Sequence, residues 1–173
     1  MGVEGKGYTK TTWSYGERPV ASSKLNSWDD NIESAIALLQ NVLAQAWGGG
    51  DGVIRGATEK DLKVEATDPP SLAVAVSTGF AFISQFIYKL GTETTTSEVT
   101  PPSSNPRIDI VEANLTDWTV SIVAGEESAD PEPPSGSEDS ITLAHLYLRP
   151  GMTCIKDTDD ESNGYITDVR QFL

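Results

Sequence analysis

The chain has 173 residues but only one cysteine, Cys154, and one histidine, His145. A lone cysteine excludes an intrachain disulfide and any multi-cysteine zinc site. In the setting Thr153-Cys154-Ile155 it reads as a small core residue rather than a nucleophile. His145 sits mid-strand in Leu143-Ala144-His145-Leu146-Tyr147, and no Gly-x-Ser-x-Gly elbow offers it a nucleophile. It is expected to pack in the fold or at an interface. Basic residues are also few, with 12 Lys+Arg against 26 Asp+Glu and a formal charge of −14. Phosphate recognition needs a basic face that releases counterions, so this balance disfavours a nucleic-acid partner and an anionic membrane surface. The longest apolar-rich stretch, 32–47, is broken by Glu33, Gln40, Asn41 and Gln45, so it is not a membrane span. Met1-Gly2-Val3-Glu4 lacks the order of a signal peptide, and Lys6 stands where a myristoylation signal needs Ser or Thr. Synthesis in the cytosol without an export signal is expected.

The chain is equally poor in catalytic groupings. The glycine run 48–52 lacks the Lys-Ser/Thr of a phosphate-binding loop. No strand–helix–strand alternation suggests a nucleotide-binding sheet. Among 26 acids no particular carboxylate pair stands out as a glycosidase pair. The expectation is a non-enzyme with no catalytic residue, no cofactor and no metal.

What is present is a sequence of distinct segments. Residues 1–20 combine Gly2, Gly5, Gly7 and Gly16 with Tyr8, Trp13 and Tyr15. Such glycine-rich, aromatic-bearing sequence fits an extended arm, packed on its own domain or anchored on a neighbouring subunit. Residues 21–47 form the clearest helix, with Ser22 or Ser23 as cap, Asp29, Asp30 and Glu33 in its early part, and Gly48-Gly49-Gly50 to end it. Apolar residues recur at Leu25, Trp28, Ile32, Ala35, Leu39, Val42 and Ala46, an unbroken heptad stripe, with Ile36 and Leu43 beside it. In a chain whose remainder reads as all-β, this stripe favours self-association and names those seven residues as the candidate oligomer interface.

Residues 48–52 read as a glycine hinge, and beyond them the apolar period changes to two. Strands are expected at 53–54, 62–66, 72–76, 80–83, 86–90 and 92–96. Residues 107–115 and 119–124 read as a hairpin across Thr116-Asp117, and 141–148 as the last long strand. The fold class expected is mainly β, a sandwich or open barrel over 53–173, preceded by one long helix. Residues 128–140, rich in Pro, Ser, Gly, Asp and Glu, read as a solvated, mobile loop.

Two loops invite a binding reading. Asp157-Thr158-Asp159-Asp160-Glu161-Ser162-Asn163-Gly164 carries alternating oxygen ligands, but Gly164 falls too late for a calcium loop, so a solvated acidic turn is expected. Trp118, in Leu115-Thr116-Asp117-Trp118, is the tryptophan most clearly presented on a loop, either capping the sheet edge or offering a face to sugar. Strand alternation puts Arg107, Asp109 and Val111 on one face, and Arg107 can make a fork-like pair to a carboxylate, for which Asp168 is the candidate.

The segment Asn105-Pro106-Arg107-Ile108-Asp109-Ile110-Val111, followed by a hairpin, the loop 131–134, Ile141–Pro150 and the closing Ile166-Thr167-Asp168-Val169-Arg170, resembles a module of bacteriophage tail-fibre and baseplate proteins. Gly16-Glu17-Arg18-Pro19-Val20-Ala21-Ser22 before a helix is similar to the leader of such proteins. The resemblance covers about residues 16–170 and rests on short, degenerate motifs. It implies a structural virion protein that assembles and attaches fibres, without catalysis. The implied assembly is a homotrimer, with other virion proteins as partners, residues 1–20 as a candidate docking arm, and a host-surface glycan as a further candidate. Long fibres continue past the Ile-x-Asp-x-Arg end, whereas here Phe172-Leu173 follows, so a short virion component is expected. A carbohydrate-binding adhesin module and a head-fibre or decoration protein are the alternatives.

Overall fold

The computed structural model describes residues 22–46, 50–56 and 59–173, and within the helix the side chains of 22–33, 35, 36 and 39. The expected arm 1–20 and residues 48 and 49 of the expected hinge lie outside the described residues, as do the side chains of Val42 and Ala46. The chain divides into two units at Gly49/Gly50. The first contains α1, Ser22–Ala46. Its apolar stripe is open: Leu25, Trp28, Ile32, Ile36 and Leu39 are all exposed, Leu39 at 61%. Ala35 is half-buried.

The second unit is mainly β, as expected, with eleven strands described in three sheets. The first joins β1 (Gly52–Ile54), β4 (Gly79–Ile83) and β5 (Phe86–Leu90) in the order β1-β4-β5. The second joins β2 (Val64–Ala66), β3 (Val74–Val76) and β6 (Thr94–Thr95) in that order. The third is five-stranded, in the order β10-β11-β9-β7-β8. Its members are β7 (Arg107–Asn114), β8 (Thr119–Val123), β9 (Ser140–Leu148), β10 (Ile155–Lys156) and β11 (Gly164–Asp168). All pairings are antiparallel except β10 with β11. A single apolar core is shared by the sheets, with Val53 from the first, Val74 and Val76 from the second, and Val111, Leu146 and Leu148 from the third. Most strands give one face to it, because alternate side chains point to opposite sides, whereas both residues of β6 are exposed.

One irregularity sets which residues of β9 reach this core. The β7–β9 register shifts between Val111 and Glu112, so that Val111 faces Ala144 while Glu112 faces Thr142. Leu143 is the extra residue of a β-bulge, which changes the phase of alternation along the strand. Ala144, Leu146 and Leu148 are therefore buried on one side of the bulge, and Leu143 and Ile141 join the same core beyond it. His145 pairs with Ile110 and Thr167 on the opposite face, half-buried, rather than sharing a face with Leu143.

The Pro- and acid-rich segment 128–140 is not the free loop its composition suggests. Ser128 N–H donates to Pro106 O at 3.0 Å, and Asp139 O accepts Leu115 N–H at 2.9 Å. Ser137 N–H and Ser140 Oγ both donate to Glu112 Oε2 at 2.9 Å. Polar bonds to a buried carboxylate, not apolar contacts, tie it to β7. The tail past β11 joins the first sheet: Phe172 bridges Val53 in parallel, and Val53 N–H donates to Gln171 O at 2.7 Å.

Gly79 begins β4 where the loop before β2 crosses it, and a Cβ there would stand 2.6 Å from Leu62 N. Gly79→Ala is expected to cost about 2 kcal/mol or more, since neither backbone can give way cheaply. Gly151, with φ +75° and open space around it, should accept Asn within about 0.5 kcal/mol. Urea unfolding of the two variants checks the contrast.

Candidate functional site

The expected Arg107–Asp168 link does not form. Each of the two pairs with a residue two positions away in sequence: Arg107 with Asp109 on the same face of β7, and Asp168 with Arg170 just past the end of β11. Arg107 Nε donates to Asp109 Oδ1 at 2.7 Å and Nη2 to Asp109 Oδ2 at 3.0 Å. Arg170 Nε donates to Asp168 Oδ1 at 2.9 Å and Nη2 to Asp168 Oδ2 at 2.6 Å. Register explains the correction. Asp168 lies across from Ala144, which faces Val111, whereas Arg107 faces Leu148. Arg107 is thus displaced four residues along and two strands across, roughly 13 Å by 9 Å, beyond the reach of one side chain.

Both forks lie at the margin of the core. Asp109 is 1% exposed and its Oδ1 also accepts Gly125 N–H at 2.9 Å, while Arg107 Nη2 reaches Thr100 O at 2.9 Å. The Arg170 side chain is 4% exposed. Its Nη1 donates to Asp61 O at 2.5 Å and Glu59 O at 3.3 Å, and its guanidinium stands 5.0 Å from the centre of the Phe172 ring. The Arg170 hydrogen bond holds the Asp168 carboxyl below its ordinary value, against partial burial. A buried guanidinium is tolerable only when its fork of donors is matched, and here it is.

Other polar groups follow the same pattern. Glu112 is 1% exposed; burial alone would raise its carboxyl, but hydrogen bonds from Ser137, Ser140 and Ser121 prevail and lower it. Glu127 is exposed, yet it gathers the backbone N–H groups of Ser103, Ser104 and Asn105, which hold it low. Arg149 lies over Tyr147 and Tyr165, themselves stacked at 5.2 Å, and donates to Asn163 O at 2.6 Å and Asp159 Oδ2 at 2.9 Å.

In the acidic loop, Asp157 accepts Ala66 N–H at 2.7 Å, Asp159 accepts Glu161 N–H at 2.7 Å, and Asp160 pairs with Lys156 at 2.6 Å. The carboxylates of Asp157, Asp159 and Asp160 are turned to separate donors, and among the described residues no three His, Cys, Asp or Glu side chains gather as metal ligands. His145 lines a cleft of about 390 Å³ with Asp51, Thr142 and Gln171. Burial pushes its pKa down. No hydrogen bond joins it to Asp51 or Thr142 among the described residues, so the triad geometry of a hydrolase is not assembled there. Cys154 is half-buried.

Of the expected oligomer interface, Leu25, Trp28, Ile32 and Leu39 are exposed on α1. The sequence reading missed Arg170, Glu112 and Tyr88. An Asp-x-Arg step in a strand was the available signal for the first; the other two are legible only once the register is known. Trp118 stands at the β7–β8 turn as expected, 52% exposed and stacked on Tyr88. No protein-family model, curated protein or solved structure matches the chain.

Replacing Arg170 by Met would leave Asp168 and two carbonyl oxygens unpaired, and is expected to cost about 2–4 kcal/mol. Lys156→Met, at an exposed pair, should cost under about 1 kcal/mol. The lowered carboxyls give stability that is present above their ordinary values of 3.8 for Asp168 and 4.5 for Glu112 and Glu127. That stability is lost as pH falls through their lower folded-state values, because unfolding then takes up protons. His145, lowered from 6.5, adds a loss that begins at milder acidity. Thermal melts between pH 8 and pH 2 should show a monotonic fall, shallower at its acid end in Glu112→Gln.

Proposed function

We propose that the chain is a structural component of a bacteriophage virion, a tail-fibre or baseplate protein that assembles and attaches fibres and does no chemistry. One observation carries this reading. The Arg-x-Asp and Asp-x-Arg segments that support the family resemblance hold their side chains in forks that fasten strands and loops, not around an open site. These are the residues a module selected for rigid attachment needs. The three sheets share one apolar core, which suits a building unit.

The partner most directly called for is a second and third copy. Five large apolar side chains of α1 are exposed, and Leu25, Trp28, Ile32 and Leu39 follow heptad spacing. A helix of 25 residues gains too little from propensity alone and needs partners for such a face. The assembly is a homotrimer with α1 on the threefold axis, where Ala35, Val42 and Ala46 continue the seam; threefold order is taken from the family resemblance, since these residues do not specify strand number. Residues 1–20 dock on another virion protein. A head-fibre or decoration protein would use the same parts.

Sedimentation of the full chain at micromolar concentration should give a mass near three times 18.5 kDa. Leu39→Asp should reduce it to one chain, because three carboxylates would meet in one desolvated layer. A well-folded wild-type monomer would defeat the trimer. Defined turnover on cell-wall or capsule material in a zymogram would defeat the non-catalytic reading.

A further inference from the structure

β8 ends the five-stranded sheet, and no strand pairs with its outer edge. The phase of its hydrogen bonds follows from those of β7. Leu115 N–H donates to Asp139 O on the β9 side of β7, and Pro106 O accepts Ser128 N–H on the other side. Bonded and non-bonded pairs alternate along an antiparallel ladder, so odd-numbered residues of β7 bond to β9 and even-numbered ones to β8. The bonded pairs between β7 and β8 are then Asn114 with Thr119, Glu112 with Ser121 and Ile110 with Val123. Val120 and Ile122 turn their N–H and C=O groups outward. Among the described residues no hydrogen bond takes up these groups.

Sheets guard an open edge with a charged side chain or a proline. β5, an edge strand of the first sheet, carries Lys89. β8 reads Thr-Val-Ser-Ile-Val and carries neither. There is also space beside it. A hollow of about 310 Å³ is bounded by Ile122 and Ala124 and by the segment 97–100, whose Val99 N–H is spent on Leu72 O. A second, of about 550 Å³, shares Ala124 and continues past Gly125 to the loop at Pro134. Both have acidic rims, Glu98 in the first and Glu126, Asp130 and Glu132 in the second. Among the described residues these four carboxylates make no ion pair or hydrogen bond. Arg107, the one base lining either hollow, is held by Asp109.

We propose that the edge of β8 takes an extended segment of another protein, a strand in which Lys or Arg alternates with apolar residues. The segment extends the five-stranded sheet through backbone hydrogen bonds to Val120 and Ile122, the mode of recognition known as β-augmentation. The half-buried side chains of Val120 and Ile122 pack against the core and leave an apolar margin for its alternate residues. Its bases meet Glu98 on one side and Glu126, Asp130 and Glu132 on the other. Charge decides the occupant. Two copies joined edge to edge through β8 would set these four acids against the same four, in chains of formal charge −14. A basic strand meets attraction where a second copy meets repulsion. The site does not involve α1, so its failure would leave the trimer reading untouched.

The test uses the full chain and a synthetic peptide of alternating Lys and Val, with two controls: a Glu-Val counterpart, and the Lys-Val peptide with every backbone N–H methylated. Fluorescence anisotropy measures binding, and hydrogen exchange reads the amides of Val120 and Ile122. The Lys-Val peptide should bind and slow exchange at both amides. Each control should bind about tenfold more weakly or worse. Ile122→Pro removes an outward N–H without touching the β7 ladder and should weaken binding to a similar degree. The double variant Glu126→Lys, Glu132→Lys changes exposed side chains alone, and it should also bind less. If Ile122→Pro fails to fold, the charge variant and the exchange data decide. No binding of the Lys-Val peptide at millimolar concentration overturns the proposal, as does equal binding of the methylated peptide, which would reduce the effect to charge. A fall in oligomeric mass in Ile122→Pro, with no peptide bound by the wild type, would also overturn it and make this edge a contact between copies.

Discussion

One guanidinium sits where the three sheets meet, and the β-unit depends on it. Arg170 follows β11 of the five-stranded sheet and grips Asp168 at that strand's end. Its remaining donors reach the carbonyls of Glu59 and Asp61, in the loop that leads to β2. Its flat face lies by Phe172, whose backbone bridges β1. Arg55 approaches the same ring from elsewhere, 4.5 Å from its centre. An arginine 4% exposed would be costly if its donors were unmet. Because they are met by one carboxylate and two carbonyls, the cost becomes directional preference: the sheets can join in the one arrangement that satisfies the fork.

The acidic balance of the chain has a structural use that follows from the same economy. Short strands and ten prolines leave many backbone N–H groups outside any ladder. Carboxylates take up a good part of them. Asp61 accepts Gly56 N–H, Asp157 accepts Ala66 N–H, Asp51 accepts Ser84 N–H, Asp109 accepts Gly125 N–H and Glu112 accepts Ser137 N–H. Glu127 alone gathers three consecutive donors. Ionised oxygens make stronger acceptors than neutral ones, so each bond tethers a turn that would otherwise be held by water. The negative charge is therefore partly internal scaffolding, and only the rest is a solvating surface.

Much of this was legible in the sequence, and what was not has a common cause. The period change at the glycine run separated helix from strands, and the alternating Val, Ile and Leu residues placed most strands within two residues. Arg107 and Asp109 were visible as neighbours on one strand face, whereas Arg170 was named only within the closing motif and given no partner; assigning Arg107 to Asp168 failed because register between strands is fixed by tertiary contacts. The bulge at Leu143 was hidden for the same reason, and it moved His145 to the face opposite Leu143. The loop 128–140 misled through its composition: it lacks apolar anchors, yet a carboxylate buried on β7 holds it. Trp118 was recognised as a loop residue, but its support by Tyr88 required a contact across some thirty residues of sequence.

Rigid clamps in the β-unit and an uncovered apolar stripe on α1 belong to one account, in which the chain is a part to be built into a particle. The most direct measurement is a cryo-EM map of the intact particle from cells producing this chain. The account predicts density for the Gly50–Leu173 unit in the tail or baseplate, repeated around a threefold axis with three α1 helices at its centre. Mature particles that lack the chain, or that hold it singly with α1 against an unrelated protein, would contradict it.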